Sequence, residues 1–389
     1  MKRRLAQARA LLLVVTALFA LGWSLSRAVP GARSGLSSAR RATEDFEAGW
    51  RGRTPLSLHV DGGGRFFALA HTYAAPHALT GAECAAAGAA LRRAWPLNVL
   101  STPAGALPED VAGALAAALA PLAQQTPGGE RHLVALALAL GDFAAQRRAT
   151  DLTVELRRRQ RDRDRGSGRA HAALAWAAGA TRCLAPCGGA GRCDRPEGAR
   201  TPHAHPAPGL LVGDAAAVRK VLLAAQAQLK LGVCTAAAGV HASDAVAAAI
   251  AVAHARGELP HLRIDQDGAL LGAAFAGGGA GGGLLAQLSS RRAERRGDFA
   301  WNASSGVWEL AASAAVPFAL HSGEGEPERA LPLLSPLVAV DEGARDRGDR
   351  APLPTLGQLE FAFLPLDGAL TALSAHCPRF AHVEMPHQL

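Results

Sequence analysis

The stretch DAAAVRKVLLAAQAQLKLGVCTAAAGVHASDAVAAAIAVAHARGELPHLRID, residues 214–265, decides the fold class. Asp214 stands where a helix N-cap belongs, Val218, Val221, Leu222 and Leu229 fall on one helical face, and Gly232 follows as a stop. Val233-Cys234-Thr235 has the composition of a short strand. Ser243 then stands as the cap of a second helix containing Val246 and Ile250, which ends at Gly257 and Pro260. His261-Leu262-Arg263-Ile264-Asp265 alternates as a strand does. Helices alternating with short strands imply an α/β fold, with a mixed or parallel sheet and covering helices.

Working outward, residues 181–210 hold three cysteines and a concentration of Pro and Gly, and read as a loop between an N-terminal α/β region, 55–180, and a C-terminal one, 211–389. In the first region Leu56–Val60 alternates and ends in Asp61-Gly62-Gly63-Gly64, with Phe66–Leu69 as a pairing partner. The pattern predicts a helix over Gly81–Trp95, a strand at Leu97–Leu100 and a helix opened by Pro108-Glu109-Asp110, with Val111, Leu115, Leu119 and Leu122 on one face. Leu133–Leu140 is a short buried run of ambiguous type, and Phe143–Arg159 reads as a charged helix. Beyond residue 265, Gly277–Gly283 and Asp341–Arg350 read as loops, and Val307–Phe318 and Leu359–Leu364 as strands.

The first 43 residues contain eight Lys or Arg and no acid. Residues 1–9 read as a cytoplasmic tail, 10–26 as an apolar run and 27–54 as a stem or linker. A run of this length lies between a signal-peptide core of roughly 7–15 residues and a bilayer span of roughly 20, so it serves as a signal peptide cut after Ala28 or as an uncleaved membrane anchor. An organelle transit peptide is a further reading of an acid-free, Arg-rich leader. The chain has 41 basic and 33 acidic residues, and without the leader the two balance at 33 each. Its net basicity therefore belongs to the leader and argues against a nucleic-acid partner. The run Arg157-Arg158-Arg159-Gln160-Arg161 is interrupted by Asp162 and Asp164 and reads as a solvated helix end.

Behind an export leader the six cysteines, Cys84, Cys183, Cys187, Cys193, Cys234 and Cys377, are disulfide candidates. Cys183, Cys187 and Cys193 with His203 and His205 also match a zinc ligand set in type, though not in usual spacing. Asn302-Ala303-Ser304 is a glycosylation sequon, as expected of an exposed luminal loop.

The chemical candidates centre on Asp265-Gln266-Asp267. Two carboxylates at the end of a strand can hold Mn or Mg and neutralise a departing diphosphate. Asp267-Gly268 is equally a turn signal, which gives the same residues a structural reading. The triplet resembles the Asp-x-Asp signature of Golgi type II membrane glycosyltransferases, whose tail, anchor, stem and luminal domain match the organisation of this chain. That resemblance implies a nucleotide-sugar-transferase-like α/β domain, a nucleotide-sugar donor and a glycan or protein acceptor. It also implies that Asp265 and Asp267 bind the metal and the nucleotide, with residues 10–26 holding the protein in the Golgi membrane. Asp267–Ala273 is also similar to the glycine-rich stretch of LicD and fukutin-type transferases, but the acidic cluster that follows in that family is absent here. His321, with Glu324 and Glu326, offers acid and base groups in what reads as an exposed loop. No nucleophile elbow, P-loop, zincin helix or Rossmann fingerprint occurs. The reading from a different class is a non-catalytic, disulfide-stabilised secreted or luminal binding domain.

Overall fold

The computed structural model describes residues 57–60, 64–74, 79–103, 105–124, 131–167, 173–180, 205–232, 241–273, 295–296, 299–311, 313–321, 337, 362–364 and 377. Their strands are β1 Leu58–His59, β2 Arg65–Ala74, β3 Leu97–Pro103, β4 Leu133–Ala137, β5 Phe143–Ala145, β6 Ala175–Ala180 and β7 His205–Asp214. These continue with β8 Leu262–Asp265, β9 Leu271–Ala273, β10 Arg295–Arg296, β11 Phe299–Asn302, β12 Val307–Leu310, β13 Ala319–His321 and β14 Ala362–Leu364. The helices are α1 Gly81–Arg92, α2 Pro108–Ala118, α3 Ala120–Ala123, α4 Ala149–Ser167, α5 Ala215–Lys230 and α6 Ala242–Ala255.

Eleven strands form one mixed sheet in the order β14-β3-β2-β4-β7-β6-β9-β13-β5, with β1 paired to β2 and β8 to β6. Pairing is parallel from β14 through β3 and β2 to β4, antiparallel on both sides of β7, and parallel again from β6 to β9 and β13. The sheet curls into a half-barrel with helices packed on it, which is an α/β fold. Strands from both sides of the 181–210 loop enter this single sheet, since β4 pairs with β7.

The winding follows from the sequence of β2, RFFALAHTYA. Phe66, Ala68 and Ala70 face the core that contains α1, whereas Phe67 and Leu69 face the core that contains α2, α5 and α6. α1 joins β2 to β3 and α2 joins β3 towards β4, so successive crossovers cover opposite faces: the chain steps one way from β2 to β3 and then back past β2 to β4. Right-handed crossovers allow this reversal only when the covering helix changes face. In the second core Val218, Val221 and Leu222 of α5 are fully buried, each contributing about 1.5–3 kcal/mol. Half of α1 is alanine, so the bulk on its side comes from Phe66, Trp95 and Phe143, whose rings meet edge to face at 5.8 and 5.2 Å.

Several elements differ from the pattern read in the sequence. Phe143–Ala145 is a strand and not the start of a helix, because it pairs antiparallel with β13 and α4 begins only at Ala149. Asp214 precedes α5 in extended conformation, but its Oδ2 accepts the backbone N–H of Leu174 at 2.8 Å, so it ties β6 to β7 instead of capping the helix. At the same corner Gly213 has φ of 147°, and a Cβ there would lie 2.2 Å from the carbonyl oxygen of Leu174, so no other residue fits. α6 begins at Ala242 with His241 in the cap position, and Ser243 is buried within its first turn. Among the described residues of 307–318, Val307–Leu310 is the strand. Val233-Cys234-Thr235, Gly277–Gly283 and Asp341–Arg350 lie outside the described residues, as does the leader, 1–54.

Cys84 of α1 forms a disulfide with Cys377, the Cα atoms 5.7 Å apart. Cys183, Cys187, Cys193, Cys234 and His203 fall outside the described residues, while His205 opens β7. No described helix is long and apolar enough to cross a membrane.

Candidate functional site

In a sheet wound to both sides of one strand, ligands bind beyond the carboxyl ends of the strands at the point of reversal. Here that point is the junction of β2 and β4, and its carboxyl edge is polar although the strands leading to it are not. β2 ends in His71-Thr72-Tyr73, β3 in Ser101-Thr102, and the chain beyond β4 passes through Leu138 into a 3-10 turn, Leu140–Asp142.

His71 is fully buried and joins all three strand ends. Its Nδ1 lies 3.3 Å from the carbonyl oxygen of Leu138 and its Nε2 2.8 Å from Thr102 Oγ1. A carbonyl can only accept, so Nδ1 carries the proton and Nε2 accepts from the Thr102 hydroxyl. Burial lowers the His71 pKa to about 4, against the weaker opposing effect of the Leu138 carbonyl, and the ring is neutral. Tyr73 meets it edge to face at 4.9 Å and lies 6.4 Å from the His241 ring. The Tyr73 hydroxyl faces the first-turn amides of Ala242 and Ser243 in α6; burial outweighs them and raises its pKa to about 12. On the other side of β2, Thr72 donates to Glu83, whose second oxygen accepts from Thr80 N at 2.8 Å and Thr80 Oγ1 at 3.0 Å. Glu83 N donates to Thr80 Oγ1 at 3.2 Å, so a capping box anchors the start of α1 beside the end of β2.

Two acids reach this edge from different elements. Asp142 is buried in the turn after β4, and Asp244 lies in the first turn of α6. Burial first, and then the negative charge of Asp142, raise the Asp244 pKa to about 6, with His241 opposing both. Like charges brought together out of water at a strand end favour a cation or a shared proton.

Asp265 and Asp267 have a different surrounding. β8 and β9 both pair in parallel with β6, so residues 266–270 loop out of one interrupted edge and do not turn a hairpin between two paired strands. Asp265 is 1% exposed; its Oδ1 accepts from Arg159 Nη1 at 2.9 Å and its Oδ2 from the amides of Leu270 and Leu271 at 2.6 and 2.9 Å. Asp267 is exposed and takes Arg159 Nη2 at 3.1 Å. Burial raises the Asp265 pKa to about 6, opposed by the Leu271 amide and Arg159. The position between the two carboxylates that a divalent cation would take is held by a guanidinium. Arg159 belongs to α4, and Asp265 closes β8, which runs parallel to β6 and so to β4; the pair lies at the carboxyl end of β8, away from the junction of β2 and β4.

His321 is not in an exposed loop. It closes β13, fully buried, with Nε2 3.0 Å from the carbonyl oxygen of Ala207 and a pKa lowered to about 4 by burial. A Cβ on Gly209 would lie 2.7 Å from its Nδ1, so the glycine gives the ring its space. Glu324 and Glu326 lie outside the described residues. Asn302 closes β11 at an exposed turn.

His71, Tyr73, Thr102, Asp142 and Asp244 were not singled out by the sequence pattern. Their signal was present as polar residues that end buried apolar runs: FFALA followed by His71, and LVALALALG followed by Asp142.

The structure is an α/β fold with buried polar side chains gathered at the carboxyl edge of its sheet. No protein-family model matches the chain, and no curated protein matches it.

Proposed function

We propose that the chain is a luminal transferase, a glycosyltransferase that takes a nucleotide-sugar donor in the crevice beyond β2, β3 and β4 and passes the sugar to a glycan or protein acceptor. The observation that carries the reading is that Asp142 and Asp244, from different elements at the edge where the winding reverses, are near enough for the charge of one to help raise the pKa of the other to about 6. Asp142 and Asp244 would hold Mn or Mg. Among the described residues no group of three or more His, Cys, Asp or Glu is placed to hold a metal, so the diphosphate oxygens of the donor would supply further ligands. The metal, when bound, neutralises the diphosphate leaving group. His71 fixes the three strand ends relative to one another, and the amides at the start of α6 stand beside Tyr73, where negative charge is favoured. The acceptor hydroxyl oxygen forms the new bond to the anomeric carbon, the bond from that carbon to the diphosphate breaks, and the hydroxyl proton is released. The leader, 10–26, and the Cys84–Cys377 disulfide support placement in the secretory pathway, in the Golgi membrane or as a secreted form.

Calorimetric titration of the purified protein with UDP- and GDP-sugars, with and without Mn, tests this. Metal-dependent binding that is lost in Asp142→Asn and Asp244→Asn and kept in Asp267→Asn is expected; no binding of either donor with Mn present would overturn it. The second reading, a non-catalytic luminal binding domain, is favoured by Arg159 holding both Asp265 and Asp267. It predicts glycan binding without metal dependence and without turnover of any donor.

A further inference from the structure

We infer that Asn302 carries an N-linked glycan and that the hairpin holding it is built so that the modification breaks no hydrogen bond. The inference is independent of the crevice chemistry and rests on the export reading of the leader. The chain has two asparagines, Asn98 and Asn302, and only Asn302 begins a sequon. Asn98 is 1% exposed, and its amide group donates to the carbonyls of Ala68 and Pro96 inside the sheet. Asn302 lies instead at the last pair of β11 and β12 in a three-stranded antiparallel sheet, opposite Val307, and Ala303, Ser304 and Ser305 beyond it are exposed.

The decisive detail is how the Asn302 side chain spends its atoms. Oδ1 accepts from Ser304 N at 3.0 Å, Ser304 Oγ at 2.6 Å and Ser305 N at 3.3 Å, which fixes the amide plane against the turn. Nδ2 donates to Glu309 Oε1 at 2.8 Å. An amide nitrogen has two hydrogens, and Glu309 takes one. In the modification Nδ2 forms a bond to the anomeric carbon of an oligosaccharide. The bond from that carbon to a lipid diphosphate breaks, and one Nδ2 proton leaves. One N–H is left to donate to Glu309, and Oδ1, which takes the other three bonds, is not a reacting atom. Trp301 and Trp308, opposite each other one step inward with ring centroids 5.5 Å apart, hold β11 to β12 beneath the turn.

The test is translation of the full chain in the presence of endoplasmic-reticulum microsomes. The protease-protected product is then treated with peptide N-glycosidase in H2(18)O, which leaves an 18O-labelled acid at each site that carried a glycan. We expect a mobility shift of one glycan and label at position 302 alone, lost in Asn302→Gln and in Ser304→Ala, and kept in Ser304→Thr and Glu309→Gln. An unlabelled residue 302 in protected chains, or chains that never become protected, would overturn the inference. Ser304→Thr and Glu309→Gln leave Asn302 in place, so a general folding failure is separated from loss of the site.

Discussion

Replacing Asp265 with Ala separates a structural carboxylate from a metal ligand, and the contrast with Asp267→Ala makes the result quantitative. Asp265 has no exposed side-chain surface and holds three donors: Arg159 Nη1 and the amides of Leu270 and Leu271. Removing one partner of a buried ion pair costs about 3–5 kcal/mol, because the other charge loses its compensation. The two amides that lose their acceptor cost about 1–3 kcal/mol each if water cannot reach them. These terms overlap, and Arg159 keeps Asp267 and Glu155, so the expected loss for Asp265→Ala is about 4 kcal/mol. Asp267 is 68% exposed in its side chain and shares the same guanidinium, and an exposed pair is worth only about 0.2–1 kcal/mol. The measurement is urea unfolding followed by tryptophan fluorescence, with Mn present and absent. Removing Arg159 as well, in Arg159→Met, completes a double-mutant cycle with Asp265→Ala, in which a coupling of about 0.5–3 kcal/mol is expected for groups in contact. Equal losses below about 1 kcal/mol for the two single variants would refute the argument. So would a stabilisation of the wild-type protein by Mn that disappears in Asp265→Ala.

Asp244→Asn is expected to stabilise the protein by about 1–2 kcal/mol at pH 7.5 while abolishing metal-dependent donor binding, read by the same unfolding and calorimetric assays. The sign follows from its raised pKa: the folded state binds the proton more tightly than the unfolded one. Its contribution is therefore full below about pH 4 and is lost as pH rises towards 6, and the variant and wild-type curves should converge in acid. His71 and His321 act in the opposite direction, their stability present above pH 6.5 and lost as pH falls towards 4, so Asp244→Asn should also steepen the acid loss by about 1.4 kcal/mol per pH unit. Cys84→Ser opens a loop of 293 residues and should cost on the order of 5 kcal/mol by the chain-entropy account, seen as a lower urea midpoint that dithiothreitol reproduces in the wild type.

Much of the α/β pattern can be read from local order alone. The helices at 215–230 and 242–255 and the strand at 262–265 appear close to where apolar periodicity and glycine stops put them, because each buries a face set by residues three or four apart. The leader's charge and the even cysteine count likewise need no fold to be seen. What only the tertiary structure decided depends on partners far away in the chain. Phe143–Ala145 is extended because β13 lies beside it, and Asp214 bonds Leu174 because β6 and β7 pair. Asp265 and Asp267 look the same in sequence, yet one is buried against Leu270, Leu271 and Arg159 and the other is exposed, since Arg159 arrives from a helix 106 residues away. His71, Asp142 and Asp244 lie on three separate elements, and they share an edge only because the sheet winds both ways from β2. Sequence periodicity records which face of an element is buried; long-range pairing, which sets the chemical surroundings of a side chain, leaves no local trace.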